Sequence, residues 1–489
     1  MAKWVWGIGI VVTTLFLVLY ALAPLPVRQT QNAIFDLYQR LSPRVGDPSV
    51  PLQIIDIDEA SLAAYGQWPW PRTYLAEITD RLFEAGAVLV AFDVLLSEPD
   101  RTSPKAIVQS WSRFNREAVP PGAFGALPDH DDVMAEAIAS GPTVLSVAGA
   151  NVGRVAAPLA GISYTGQAPR NALPRFGGAL GPLPRLREAA AGVGTISLVP
   201  GADGVIRTVP MALWLDDQLY PSLAAEVLRV AQGAGSHILR TTEASGEISG
   251  GTVRVTAMRT GRASVPLDGD GGFRVHFAEL MPGRLTSAAT VLQADDPMTL
   301  ARDVNGKIVL VGSSAQALFD IRLTPLATQI PGVAVQAQVL EQVLTGHFLT
   351  RPDWMPGLEM ALILILGVLL TAAAARERTV LAGIGLVALT IALSFAGWLG
   401  FARAGLLFDP SLAILAAILC YLPGTTLNVL ANRRARAGIR QQFASFVPDA
   451  LLTKITADPE AALTPEGSSR DITVMFVDMK GFSTTTELM

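Results

Sequence analysis

The sequence predicts an α/β domain held between membrane-spanning helices, and three observations lead there. Between residues 24 and 357, short β-rich apolar runs alternate with helical stretches, as in an α/β domain built on a largely parallel sheet. Four other stretches are apolar, nearly free of charge and long enough to cross a bilayer as helices. Hydrophobic residues fill 50% of the 489 positions and the mean hydropathy is +0.40, above what a soluble globular protein carries, so part of the chain belongs in lipid.

The first span is Trp4 to Ala23, which at ~1.5 Å rise per residue crosses the ~30 Å hydrocarbon core of a bilayer. A cleaved signal peptide is the competing reading, because Lys3 gives a basic start and Ala21-Leu22-Ala23 resembles a cleavage site. The run exceeds the ~7 to 15 residues of a signal core, and Pro24 hinders an extended fit in a peptidase, which favours an uncleaved anchor. Three more spans follow at Leu358 to Ala375, Thr379 to Gly400 and Ser411 to Leu430. Arg403 stands alone in the second connector. Arg376 and Arg378 in the first, with Arg433, Arg434, Arg436 and Arg440 after the last span, mark cytoplasmic segments by the positive-inside rule. Four crossings then place both termini inside. The organisation expected is an anchor over 1–23, an exported domain over 24–357, three helices over 358–430, a cytoplasmic linker over 431–469, and a further domain beginning at 470–489.

Several function classes drop out. A net charge of -5, from 42 acidic against 37 basic residues, gives no basic field for nucleic acid. The one cysteine, Cys420, lies in an apolar run and can form no intrachain disulfide. His130, His237, His276 and His347 show no metal-ligand spacing. Within the spans only Glu359, at a helix edge, is ionisable, which removes the ground for a transporter or pump. Pro423-Gly424 would kink the last helix, and Asn428 could hydrogen-bond a neighbouring one.

In the exported domain, Leu52 to Ile57 reads as a strand, Arg72 to Ala85 as an amphipathic helix with Leu75, Ile78, Leu82 and Phe83 on one face, and Val88 to Phe92 as the next strand. Lys307 to Val311 is a buried-type strand, and Val333 to Leu344 a helix with Val335, Val339 and Val343 at period four. Polar residues collect where these strands end: Asp56, Asp58, Asp93 and Gly312 to Ser314, with Asp320 beyond. In open α/β sheets that edge binds ligands, which makes Asp58, Asp93, Ser313 and Asp320 pocket candidates. Capping is the plainer role, above all for Asp58 before Glu59-Ala60-Ser61-Leu62. Trp68-Pro69-Trp70-Pro71-Arg72 is a stiff aromatic loop that adds Trp70 and Arg72 to the candidates, or packs over the sheet edge. Gly177-Gly178 and Gly269 to Gly272 look like loops, and no glycine-rich nucleotide loop opens a helix.

Gln53 to Ser61 (QIIDIDEAS), Gly66 to Arg72 (GQWPWPR), Gly86 to Asp93 (GAVLVAFD), Asp203 to Pro210 (DGVIRTVP), Tyr220 to Leu223 (YPSL) and Lys307 to Ala315 (KIVLVGSSA), followed by Asp320 and Pro331-Gly332, resemble the second class of CHASE sensor domains. The resemblance covers most of the exported segment. It implies an extracytoplasmic sensor of bacterial type in the cytoplasmic (inner) membrane, held between one N-terminal and usually three C-terminal helices, with no ligand defined.

After the arginine cluster, Ile439, Phe443, Phe446 and Ala450 could form a short helical seam between two subunits, although Pro448 cuts into it. Arg470 to Val477 reads as a strand ending at Asp478 beside a glycine turn. Arg470 to Phe482 (RDITVMFVDMKGF), with Phe443 to Ile455 (FASFVPDALLTKI) before it, resembles the opening of class III nucleotide cyclases, an α+β ferredoxin-like fold. That resemblance implies a dimeric enzyme making cyclic AMP and pyrophosphate from ATP, with Asp478 and the main-chain carbonyl of Met479 on one or both of two Mg2+ or Mn2+ ions. Hard oxygen donors suit those cations, which neutralise phosphate charge and lower the pKa of the attacking hydroxyl. The remaining family residues would lie past Met489, so the chain as given is expected to form no cyclic nucleotide. A guanylate cyclase, a non-enzymatic membrane sensor or scaffold, and a kinase output are the alternatives; no kinase motif is present.

Overall fold

The computed structural model describes residues 2–114, 126–242, 253–315, 318, 320–375, 379–443 and 473–477. Helices α1 (Ala2–Leu22) and α2 (Leu25–Leu41) lead to strand β1 (Leu52–Ile57), followed by α3 (Arg72–Glu84), β2 (Leu89–Phe92), α4 (His130–Ala139), β3 (Thr143–Ala150) and β4 (Gly192–Thr195). The chain continues through α5 (Leu223–Ala231), β5 (Leu285–Ser287), β6 (Ile308–Ser313) and α6 (Gly332–Thr345) to α7 (Met355–Ala375), α8 (Thr379–Ala404) and α9 (Ser411–Phe443).

The main sheet has the order β5-β1-β6-β2-β3, all parallel. The first half of β3 pairs in parallel with β4, and its second half pairs antiparallel with Gly178–Leu180. Every residue of β1, β2 and β6 is buried, as expected of a parallel sheet covered on both faces. The alternation of side chains sorts them into two cores. Ile54, Leu89 and Leu310 face α5 and α6, meeting Leu223, Val335 and Val339. Ile55, Val90 and Val311 face α3 and α4, meeting Leu75, Ile78, Leu82 and Ile138.

Smaller antiparallel and mixed sheets fill the stretch between residues 162 and 274, and none of these was legible as a repeated sequence pattern. Two glycine segments expected to be loops supply strands instead, Gly178–Leu180 and Gly272–Arg274. The reason at Gly178 is close approach: a Cβ there would lie 2.7 Å from the backbone of Val152.

Helices α1, α7 and α8 are long and apolar enough to cross a membrane by length and composition. The apolar part of α9 described as a candidate is shorter, Ser411–Leu427, and the same helix runs on through Pro423 to Arg433 and Arg434. Small residues let these helices meet: a Cβ on Gly9 would collide with Thr371, one on Gly367 with Thr13, and one on Gly424 would lie 2.7 Å from Ala374. Thr473 to Val477, part of the run read as a strand, is exposed and carries no strand assignment; a strand needs a neighbour to complete its ladder.

Helix α2 joins this bundle to the α/β domain. Asp36 receives two hydrogen bonds from Arg207, at 2.8 and 2.7 Å, with both side chains buried. Arg40 donates to the carbonyl of Pro325 at 2.8 Å, and Gln39 donates to Val275 and accepts from Phe277. Arg207→Ala would leave the Asp36 carboxylate buried and unpaired, a loss of about 3–5 kcal/mol. The expected result is a clearly lower thermal midpoint for the solubilised chain, with much of it restored in the Asp36→Asn/Arg207→Met pair. A single variant as stable as the parent would refute this clamp.

Candidate ligand site at the carboxyl edge of the sheet

Because β1, β2 and β6 are parallel and adjacent, Ile57, Phe92 and Ser313 end at one edge, and the loops that follow enclose a cavity of about 620 Å3. That volume suits a small-molecule site. Asp93 follows β2 and is fixed by its own backbone N–H, which donates to the Val311 carbonyl at 2.8 Å. Its carboxyl lines the cavity and accepts no hydrogen bond among the described residues. Burial pushes its pKa up to about 8; the nearby Asp320 carboxylate adds to the rise and Arg322 opposes it.

Asp320 lines the same cavity and is paired with Arg322 at 2.6 Å. It packs on the first residue of α6, where a Cβ on Gly332 would lie 2.3 Å from its Oδ2. Ser313 also reaches the cavity, with its hydroxyl donating to the Ile57 carbonyl at 2.8 Å. Trp68, Phe176, Leu198 and Ile206 supply apolar wall.

The other three residues read as pocket candidates lie elsewhere. Asp58 caps the helix Glu59–Tyr65, accepting from the Ser61 N–H at 2.8 Å and from the Ser287 hydroxyl at 2.9 Å. Burial raises its pKa, but those hydrogen bonds outweigh burial and hold the carboxyl below its ordinary value. Trp70 is buried against Tyr65 and Tyr74 and donates its indole N–H to the Gly66 carbonyl, so it braces the loop. Arg72 is buried beside Asp131 at 3.6 Å and donates to the Glu98 carbonyl, which ties α3 to α4. In each case a local partner absorbs the polar group before it can face the cavity. Asp478 and Met479 lie outside the described residues.

Gln336, on α6, was not singled out from the sequence. It lines the cavity, is 2% exposed, and its Oε1 has no hydrogen-bond partner among the described residues. The available signal was a run of amides and an acid, Gln336, Gln338, Glu341 and Gln342, in a helix otherwise apolar on every side. The described residues hold no group of three or more His, Cys, Asp or Glu side chains able to bind a metal.

The CHASE2 domain family matches residues 11–374, most of the chain, and the protein belongs to that family. The match spans the second half of α1, the α/β domain and nearly all of α7, and it assigns the chain an extracellular sensing role. The chain matches no curated protein and no solved structure at a significant level.

In the folded protein Asp93 keeps a proton that the unfolded chain releases, over the window from the ordinary value of 3.8 up to about 8. Its contribution to stability therefore falls as pH rises through that window and stays low above it. Asp93→Asn abolishes the penalty. Its advantage in unfolding free energy over the parent, from denaturant titrations, should be smallest at pH 4 and reach a plateau above pH 8, on the order of a few kcal/mol. A difference independent of pH would show that Asp93 is ionised in the fold throughout.

Proposed function

We propose that the chain is the sensing and relay part of a receptor-type class III nucleotide cyclase, in which occupancy of the sheet-edge cavity controls the conversion of ATP to cyclic AMP and pyrophosphate. The observation that supports the relay is that walls of the cavity are tied directly to the helix leading out of the membrane. Gly204 and Ile206 line the cavity, and the next residue, Arg207, grips Asp36 on α2. The adjoining stretch of wall, Ile321 to Leu323, runs on to Pro325, whose carbonyl is held by Arg40 on the same helix. These walls are joined to each other, since the Ile206 N–H donates to the Leu323 carbonyl at 2.8 Å. A ligand that shifts this joined wall would therefore act on α2, and through it on α1.

The output half of the reading rests on Arg470 to Phe482, whose likeness to a cyclase opening follows a sensor and membrane helices in that family's usual order. Four helices in this reading cross the cytoplasmic membrane, α9 being the fourth, with both termini in the cytoplasm and the α/β domain outside. Asp478 and the Met479 carbonyl are hard oxygen donors fit for Mg2+ or Mn2+. Two subunits would meet along the helix that α9 extends, and a shift of α1 and α7 would change how their catalytic domains pair.

Sequencing the gene beyond Met489 tests the output directly. A second metal aspartate followed by an asparagine and an arginine is expected, and Asp478→Ala in the completed receptor should lower cyclic-nucleotide formation in membranes by at least about 100-fold. A stop codon at once, or a kinase domain in place of the cyclase, would overturn the reading.

A further inference from the structure

We propose that the sheet-edge cavity is a receptor site for a small organic ammonium compound, which donates to the Asp93 carboxylate. The inference rests on the sensing reading above and adds the chemistry of the ligand. One acceptor in the wall has nothing to accept from: the Asp93 carboxyl lines the cavity and has no hydrogen-bond partner among the described residues. An acceptor held in this way is unfavourable until a donor arrives.

The charges decide which donor fits. Arg322 is already paired with Asp320 at 2.6 Å, so their charges offset one another and Asp93 is left as the uncompensated acid. An anion would meet the two acids Asp93 and Asp320 against a single arginine whose charge Asp320 already offsets, and a neutral polyol would bring donors without the charge that lets a buried carboxyl ionise. An ammonium brings three N–H donors together with that charge. Trp68 offers an aromatic face of the kind that attracts organic cations, and Phe176, Leu198 and Ile206 offer apolar surface to the carbon part of the ligand.

Asp93 is protonated in the empty cavity at neutral pH, so binding follows R–NH3+ plus Asp93–COOH giving the ion pair R–NH3+ with Asp93–COO−, plus a proton released to solvent. Only the carboxyl O–H bond breaks, and no oxidant or co-reactant is needed.

Calorimetric titration of the full chain in lipid nanodiscs tests this, with putrescine and L-leucine as amines and 1,4-butanediol and succinate as the matched diol and diacid. At least one amine should bind, releasing close to one proton at pH 7 as read from heats in buffers of different ionisation enthalpy. Asp93→Asn should weaken that binding at least about tenfold and abolish the proton release. Binding by putrescine alone points to a polyamine source and by leucine alone to an amino acid; either supports the site. Binding only by the diol or the diacid, binding by none of the four, or amine binding unchanged in Asp93→Asn overturns it. The relay is scored separately, by adding the amine that binds to membranes carrying the completed receptor. Binding with no change in cyclic-nucleotide output fails the relay and leaves the ligand assignment standing.

Discussion

The pairing of β1 with β6 is the constraint on which the rest of the molecule depends. Six residues near the start of the α/β domain align with six that come more than 250 positions later, from Leu52 against Ile308 to Ile57 against Ser313. Being parallel, the two strands end together, so the loops that follow them open at one edge beside Asp93. The same pairing sets α2 and α6, the helices nearest the membrane on either side of the domain, against a common frame. Gly312 makes the close fit possible: a Cβ there would lie 2.4 Å from Val333, so only glycine lets the first turn of α6 come down beside the cavity.

Helix α6 shows how the molecule separates structural from available polar groups. Gln338 donates to the Ala278 carbonyl and accepts from Ala278 and Arg44; Gln342 accepts from His276; Glu341 pairs with Arg44 at 3.1 Å and accepts from the Asp47 N–H. Each of these buried groups fixes a segment of backbone to the helix, and the approach to β1 is held in this way. Gln336, one turn into the helix, differs. Its oxygen is as buried as theirs but meets no partner among the described residues.

How much was legible in the sequence follows from the range of the forces involved. The strands at 52–57 and 89–92 and the helices at 72–84 and 332–345 could be read because local periodicity and burial coincide in them. The sheet edge could be read for a topological reason, since consecutive βαβ units leave their strand ends on one side. The small sheets between 162 and 274 could not. Their strands are short, and pairings such as His237 with Ile162 join segments whose patterns carry no mutual signature. Within the site, Asp93, Ser313 and Asp320 were found by position alone, and Asp58, Trp70 and Arg72 were drawn in by the same rule. What separated the two groups was where each residue sits once folded, since Asp320 and Ser313 in the cavity wall also have partners, Arg322 and the Ile57 carbonyl. Ser61 stands three residues after Asp58, but the partner of Arg72 is Asp131 on another helix, which no reading of residues 66–72 discloses.

Glu359 shows the same limit in the membrane. In the sequence it is a stray acid at a helix edge, and its lack of companions argued against transport. In the structure it accepts from Tyr20 on α1, pairs with Arg351 at 2.6 Å, and accepts from the Asp409 N–H just before α9. One carboxylate thus knots α1, α7 and the start of α9 at the level where the helices meet the α/β domain, a position where a charge shared among donors is tolerable and its loss would be costly. Below it the small residues of α1, α7 and α9 pack too closely for one helix to slide freely past the next. Above it the ring of Tyr38 on α2 packs at a tilt against Phe401 near the end of α8. The bundle is therefore fastened at the domain-facing end. In the relay proposed above, motion of α2 would reach these helices through contacts such as that of Tyr38 with Phe401.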